Sequence, residues 1–178
     1  MKTQRFIDPE QVLVNGGLKP GMVLADLGAG NGFFAIHGSH IVGDRGFVWA
    51  VDILEEALGH VMSQARLERR KNIRTIRADL DRPQPSAIPD LSCDFVFIGK
   101  LLPQLKHPEY AIRETWRILK TGGLILISEW RKDAVAFGPP AEERLTAEQV
   151  KEMFGRQGFK YVREYDTDHY HFAVLLQK

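Results

Sequence analysis

The stretch Leu24–Phe34, LADLGAGNGFF, sets one acid, Asp26, just ahead of three alternating glycines, Gly28, Gly30 and Gly32. Asp52 and Asp79 close later apolar runs, and Lys100 and Glu129 stand at the ends of two more. Glycine lets a ligand come close to the backbone. A strand ending in Gly-x-Gly turns backbone N–H groups toward the carboxyl edge of a sheet, where open α/β folds bind ligands. The spacing narrows the choice of ligand. A dinucleotide-binding turn wants Gly-x-Gly-x-x-Gly, whereas here the last glycine comes early and bulky Phe33 takes its place. This disfavours a nicotinamide cofactor. A phosphate-binding loop would continue into Gly-Lys-Ser/Thr, which does not follow. Asp26 would repel a pyrophosphate and would suit a ligand carrying positive charge.

These residues need elements to hold them. Val23–Leu27, Phe47–Val51, Ile73–Ala78, Phe95–Ile98 and Leu124–Ser128 are short, apolar and rich in β-branched residues, the pattern of strands covered on both faces. Between them the pattern predicts helices over about 31–41, 54–70 and 108–119. Thr146–Gln157 opens with a Thr-x-x-Gln capping box. Gly122-Gly123 and Gly158 stand where glycine ends a helix. The alternation predicts an α/β chain with a parallel sheet under helices. Phe159–Tyr165 and His169–Leu176 are joined by only Asp-Thr-Asp, too short for a parallel crossover, so this pair is expected to be antiparallel. Asp81–Asp90, with its prolines, and Asp133–Glu143 read as loops, the second close to a ligand site.

At 178 residues the chain fits a single domain, residues 1–178. A net charge of +1 offers no bulk field for nucleic acid or anionic lipid. A single cysteine, Cys93, excludes an internal disulfide or a cysteine-based zinc cluster. The segment MKTQRFIDPE lacks the apolar core of a signal peptide. No run approaches the ~18 apolar residues of a membrane span. The expectation is a cytoplasmic chain, with homo-oligomerisation left open.

Asp-x-Gly-x-Gly-x-Gly after a strand resembles the first motif of the class I S-adenosylmethionine-dependent methyltransferases. VWAVDI (Val48–Ile53), IRADL (Ile76–Leu80) and LKTGGLILISEW (Leu119–Trp130) resemble later motifs of that family in order and spacing. The antiparallel tail matches as well, so the resemblance spans almost the whole chain. It implies a Rossmann-like, doubly wound, seven-stranded and mostly parallel sheet with an antiparallel C-terminal strand. The implied cofactor is S-adenosyl-L-methionine, whose sulfonium and ammonium account for the acid at 26. Gly28, Ala29, Gly30 and Gly32 would form its loop and Asp52 with Ile53 would hold the ribose. Asp79 with Leu80 would meet the adenine, and Gly99 would admit the methionine end. Asp52 has a competing use as a cap of the helix that starts near Leu54.

The resemblance places the end of the fourth strand, Ile98–Pro103, near the transferable methyl group. It lacks the Asn/Asp-Pro-Pro-aromatic signature of many nitrogen-modifying enzymes, which lowers the odds of a nucleic-acid amine as acceptor. Lys100 could hold or deprotonate an acceptor, or simply face solvent. Glu129 is the best candidate base or substrate ligand. The DTDHYH stretch (Asp166–His171) suggests a metal, but no second His or Cys motif accompanies it, so the expected metal set is none. On a strand, His169 and His171 would share a face, either at a polar strand edge near the substrate mouth or simply at the surface. The basic run Arg66–Arg74 reads as cations at a helix C-terminus. The function expected is methyl transfer to a small molecule. The alternatives are an RNA or protein acceptor, or a nucleoside-binding module without catalysis.

Overall fold

The computed structural model describes residues 7–83, 86–133 and 137–178. Residues 1–6 of the segment read for a signal peptide, and parts of both loops, therefore lie outside the described residues. Among these, the elements run α1 (Pro9–Asn15), β1 (Val23–Leu27), α2 (Phe33–Val42), β2 (Phe47–Asp52), α3 (Glu55–Leu67), β3 (Ile73–Arg77) and β4 (Cys93–Gly99). They continue with α4 (Pro108–Ile118), β5 (Leu119–Trp130), α5 (Ala147–Gly155), β6 (Lys160–Asp166) and β7 (His171–Gln177).

The strands form one seven-stranded sheet in the order β3-β2-β1-β4-β5-β7-β6. The first five strands are parallel. β7 runs antiparallel to both β5 and β6, as the short link between the last two strands requires. After β1 the chain builds outward through β2 and β3, then returns to lay β4 on the other side of β1. Leu27 is thus registered with Val51 on one side and Ile98 on the other. Such a reversal opens a crevice at the carboxyl ends of the strands.

Strand alternation sorts the side chains into two cores. Ala25, Leu27, Val96, Ile98, Ile125, Ile127, Val174 and Leu176 pack with Ala111, Ile112 and Ile118 of α4 and Val150 and Phe154 of α5. Leu24, Val48, Ala50, Phe95, Phe97, Leu126, Ala173 and Leu175 pack with residues of α1, α2 and α3, among them Leu13, Phe34 and Val61. The capping box of α5 forms as its sequence predicts, with Thr146 accepting from the Gln149 N–H and Gln149 from the Thr146 N–H.

Three local expectations need correction. Gly122-Gly123 does not stop a helix. α4 ends at Ile118, and the pair lies within β5, where the Gly122 N–H donates to the Lys178 carbonyl and the Lys178 N–H to that of Gly123. The C-terminal strand claims these backbone groups and overrides the local glycine signal. α1 was not anticipated. Asp8 caps it by accepting from the N–H groups of Glu10 and Gln11, and Pro9 supplies its fixed φ at the first turn. His169 lies in the turn before β7 rather than on the strand, so it shares no strand face with His171.

Phe154 is fully buried, its ring edge-on to Phe159 at 5.4 Å, and Phe159 in turn meets Trp116 at 4.9 Å. Phe154→Ala removes the centre of this chain of rings. It is expected to cost about 3–5 kcal/mol of unfolding free energy in urea titration, without changing the arrangement of the carboxyl edge.

Candidate functional site

The loop after β1 carries positive φ at Gly28 (81°), Gly30 (52°) and Gly32 (88°). At Gly32, the N-cap just before α2, a Cβ would fall 2.8 Å from Val61, so glycine is needed for α2 to pack on α3. At Gly30 a Cβ would meet nothing, which leaves open space against the backbone. The loop's N–H groups do not all face that space. Those of Gly28 and Ala29 both donate to the Val51 carbonyl, at 2.8 and 2.9 Å, and that of Gly30 donates to Asp52 Oδ2 at 2.8 Å. The sequence-based picture of glycine amides aimed at a ligand is corrected accordingly. The loop folds back over the end of β2; Gly30 leaves open space, while Gly28 and Gly32 make way for Leu101 and Val61.

Asp26 is buried next to this loop and accepts a hydrogen bond from the Ala35 N–H in the first turn of α2. Its Oδ2 has no partner among the described residues. Burial pushes its carboxyl up to about 7, and the negative charge of Asp52 adds to the rise. A carboxylate deprived of water in this way favours a cation beside it.

Asp52, at the end of β2, spends Oδ2 on Gly30 and Oδ1 on the Leu54 N–H, at 3.0 Å. Leu54 precedes the first helical residue of α3, so Asp52 braces the approach to the helix and does not bond its first-turn N–H groups as a side-chain cap would. Each oxygen keeps capacity for a further donor. Ala78 N–H bonds the Asp52 carbonyl and brings the end of β3 alongside. A cavity of about 300 Å³ opens there, lined by Gly28, Asp52, Ile53, Asp79, Leu80 and Leu101, among others. It gathers five of the residues singled out in the sequence as ligand-binding. Asp79 is partly engaged, accepting from the Asp81 N–H and from Arg82 Nε, each at 3.0 Å. A larger depression of about 550 Å³ between α2 and α3 shares only Gly32 with the predicted set and carries none of the three acids.

Beyond β4 the backbone turns sharply. A Cβ at Gly99 would fall 2.8 Å from the Phe97 ring, so Phe97 takes up the space that Gly99 leaves. Lys100 has φ 56°, a left-handed conformation uncommon for a side-chain-bearing residue, and its N–H donates to the Ser128 carbonyl. Burial lowers its ammonium below the usual lysine range, against the pull of Glu129 and Asp168. Glu129 is buried near the end of β5, accepts from the Leu102 N–H and leaves Oε1 without a partner among the described residues. Burial pushes it up to about 8 despite nearby Lys100, so at neutral pH it is mostly a neutral carboxyl group.

The sequence reading passed over one pair of residues. His171 Nδ1 lies 2.9 Å from both carboxylate oxygens of Asp168. Its ring stands 4.1 Å from that of Trp130, between centroids. The available signal was the Asp-x-x-His spacing inside DTDHYH, which a turn can close into a contact. Among the described residues, no group of three or more His, Cys, Asp or Glu side chains is placed to hold a metal ion. No described helix is long and apolar enough to cross a membrane.

A seven-stranded sheet with a crevice at its strand-order reversal, lined by Gly28, Asp52 and Asp79 and with Asp26 buried beside the same turn, defines a Rossmann-like α/β domain. Residues 25–127 match the model of the methyltransferase domain family, and the chain belongs to that family. A crystal structure of an S-adenosylmethionine-dependent methyltransferase from Aquifex aeolicus superposes with a TM-score of 0.88 at 29% identity, covering 96% of this chain and 89% of that one. A putative type 11 methyltransferase from Sulfolobus solfataricus gives 0.77 at 26%, covering 98% and 94%. The ubiquinone/menaquinone biosynthesis C-methyltransferase UbiE of Shewanella woodyi is 30% identical over 118 residues, 66% of this chain and 46% of the relative. The chain thus spans about half the length of the curated relatives it matches.

The two raised acids carry a stability signature. Between the ordinary carboxylate value of 3.8 and about 7, the folded chain keeps a proton on Asp26 that the unfolded chain has released. For Glu129 the corresponding window runs from 4.5 to about 8. The folded state binds more protons in both windows, so stability falls as pH rises through them, by up to about 1.4 kcal/mol per pH unit for each group. Urea titrations of the ligand-free chain from pH 5 to 8 should show this decline. Asp26→Asn should roughly halve its slope below about pH 7 and leave the part due to Glu129.

Proposed function

We propose that the chain is an S-adenosylmethionine-dependent methyltransferase acting on a small organic acceptor, with residues 1–178 working as one methyltransferase domain. The observation that carries this reading is Asp26, a dry carboxyl group with an unpartnered oxygen beside an open glycine turn. An ammonium or sulfonium group fits that position and a phosphate does not.

The remaining residues suit the same ligand. Asp52 has acceptor capacity left for ribose hydroxyls, with Ile53 beside it. Asp79 and Leu80 would border the adenine, Asp79 sharing its charge with Arg82. Gly28, Ala29, Gly30 and Gly32 would shape the turn around the amino-acid portion, and Gly99 would keep the end of β4 low under it. When bound, the cofactor supplies an electrophilic methyl group on a positively charged sulfur. The chain's task is then alignment, which alone can be worth effective molarities of about 10⁵–10⁸ M. Lys100 and Glu129, both at the carboxyl edge, would hold polar atoms of the acceptor, the first as a cation and the second as a neutral donor.

Two observations support a small acceptor over RNA. The basic stretch Arg66–Arg74 runs from the last turn of α3 into the start of β3, at the amino edge of the sheet and away from the acids. Its members also have structural work, Arg70 and Asn72 both bonding the Ser39 carbonyl. The relatives named for ubiquinone and menaquinone biosynthesis are C-methyltransferases, which points toward an acceptor of quinol type.

Calorimetry with S-adenosylmethionine and S-adenosylhomocysteine tests the reading, followed by labelled-methyl uptake across a panel of small phenols and quinols. Hydrogen bonds to a charged group are worth about 1.5–3 kcal/mol each. Asp52→Ala should therefore weaken binding by about 30- to 1,000-fold. Affinity should rise with pH as Asp26 ionises and level off above about 7, and Asp26→Asn should remove that dependence. No binding of either compound at millimolar concentration, or unchanged affinity in Asp52→Ala, would contradict the assignment.

A further inference from the structure

We propose that His171, oriented by Asp168, is the base that takes the proton of the methyl acceptor. The inference rests on the methyltransferase reading above and adds to it the acceptor's chemical class: a phenol, enol or similar compound whose nucleophilic atom, or the hydroxyl conjugated with it, must lose a proton.

Position comes first. β7 starts at His171, which pairs with Trp130, the last residue of β5. The antiparallel strand therefore begins at the same carboxyl edge where the parallel strands end. Strand alternation places His171 on the face of Ala173 and Leu175, which pack in one core with Leu24. Asp26, two residues after Leu24, projects from that same face. Glu129 belongs to the opposite face, in phase with Ile125 and Ile127.

The pair has the geometry of an oriented imidazole. The Asp168 side chain is 3% exposed, and its Oδ1 also accepts the N–H groups of Tyr170 at 2.6 Å and His171 at 2.8 Å. The carboxylate is fixed by the turn itself. A carboxylate on Nδ1 holds the proton there and leaves the Nε2 lone pair as an acceptor. Nε2 is buried and has no partner among the described residues, whereas buried polar atoms with purely structural roles are nearly always bonded.

The charged groups around the ring agree with a neutral base. Burial lowers the imidazole below its usual value, and Lys100 beyond β4 and Arg144 ahead of α5 push the same way, against Asp168 on its own turn. Glu129, carried up to about 8, is mostly protonated where His171 is free to accept. Nε2 is sealed in this structure, so the acceptor must displace a neighbouring side chain to reach it; the Trp130 ring stands 4.1 Å away between centroids, itself flanked by Lys100 and Arg144.

The step balances without a further reagent. The acceptor's proton passes to Nε2, and the electrons of the broken bond remain with the acceptor. An electron pair of its nucleophilic atom forms the new bond to the methyl carbon. The pair of the carbon–sulfur bond goes to sulfur, which leaves as a neutral thioether. The imidazolium, stabilised by Asp168, then returns its proton to water.

The test uses the full chain with ¹⁵N-labelled histidine, saturated with S-adenosylhomocysteine for NMR. For turnover it uses S-adenosylmethionine with hydroquinone and 1,4-naphthohydroquinone as probes. At pH 7.5 His171 should be neutral with its proton on Nδ1. Asp168→Asn keeps an oxygen for the turn but offers an NH₂ group to Nδ1, and should move the proton to Nε2. His171→Gln should lower kcat by about 10²- to 10⁴-fold while S-adenosylhomocysteine affinity stays within threefold. Wild-type kcat at saturating cofactor should be level above about pH 6.5, the ordinary imidazole value. A proton on Nε2 in the wild type, a kcat in His171→Gln within threefold of wild type, or a kcat still climbing through pH 8 would overturn the proposal, the last by giving the proton to Glu129. If neither probe is methylated, the tautomer decides. Failure to bind S-adenosylhomocysteine would fault the methyltransferase reading and not the dyad.

Discussion

The buried carboxyl group of Asp26 is the constraint around which the carboxyl edge is organised. Its strand is covered on both faces, one oxygen is tied to the first turn of α2 and the other is left dry. Such a group stays protonated or waits for a cation, because an isolated buried charge is too costly to keep. The neighbouring acid, Asp52, makes the demand for positive charge stronger. It also explains why a turn that resembles a dinucleotide loop in its glycines has different chemistry. Gly30 leaves open space beside the turn, and the role proposed for Asp26 is to favour a cation there.

The fold gives that selection an address. β1 lies between β2 and β4, so the loop after β1 stands at the reversal of strand order. Asp52 joins this loop to the approach to α3 through two backbone N–H groups, and the end of β3 is hydrogen-bonded to β2 just beside it. The cavity lined by Asp52 and Asp79 and the buried carboxyl group of Asp26 are therefore joined through the same loop. On the far side of β4, the left-handed turn at Lys100 and the start of β7 bring a second set of polar side chains to the same edge. The antiparallel strand matters for this reason: its first residue, and not its last, arrives at the site.

Most of this frame was legible in the chain because its signals are local. Each strand is an apolar run, and Asp26, Asp52 and Asp79 follow from where those runs end. The glycine pattern located the left-handed turn after β1, and the run ahead of it located the buried acid, Asp26. What escaped depended on contacts between distant segments. Gly28 and Ala29 give their N–H groups to Val51, a carbonyl on another strand. Gly122 and Gly123 look like a helix stop until Lys178 pairs with them. α1 has a cap and a proline but is only seven residues long, and it depends on packing against α2. The role of His171 stays open between surface and strand edge in the sequence because its partner, Asp168, meets it only when the turn closes and Trp130 from β5 stands against the ring.

A crystal of the chain grown with S-adenosylhomocysteine tests the central claim most directly. The account predicts the amino group within hydrogen-bonding distance of Asp26 and the ribose hydroxyls on Asp52. The adenine should lie in the cavity between Ile53 and Leu80. Ligand density in the depression between α2 and α3, or a ligand at the carboxyl edge with Asp26 Oδ2 still unpartnered, would contradict it.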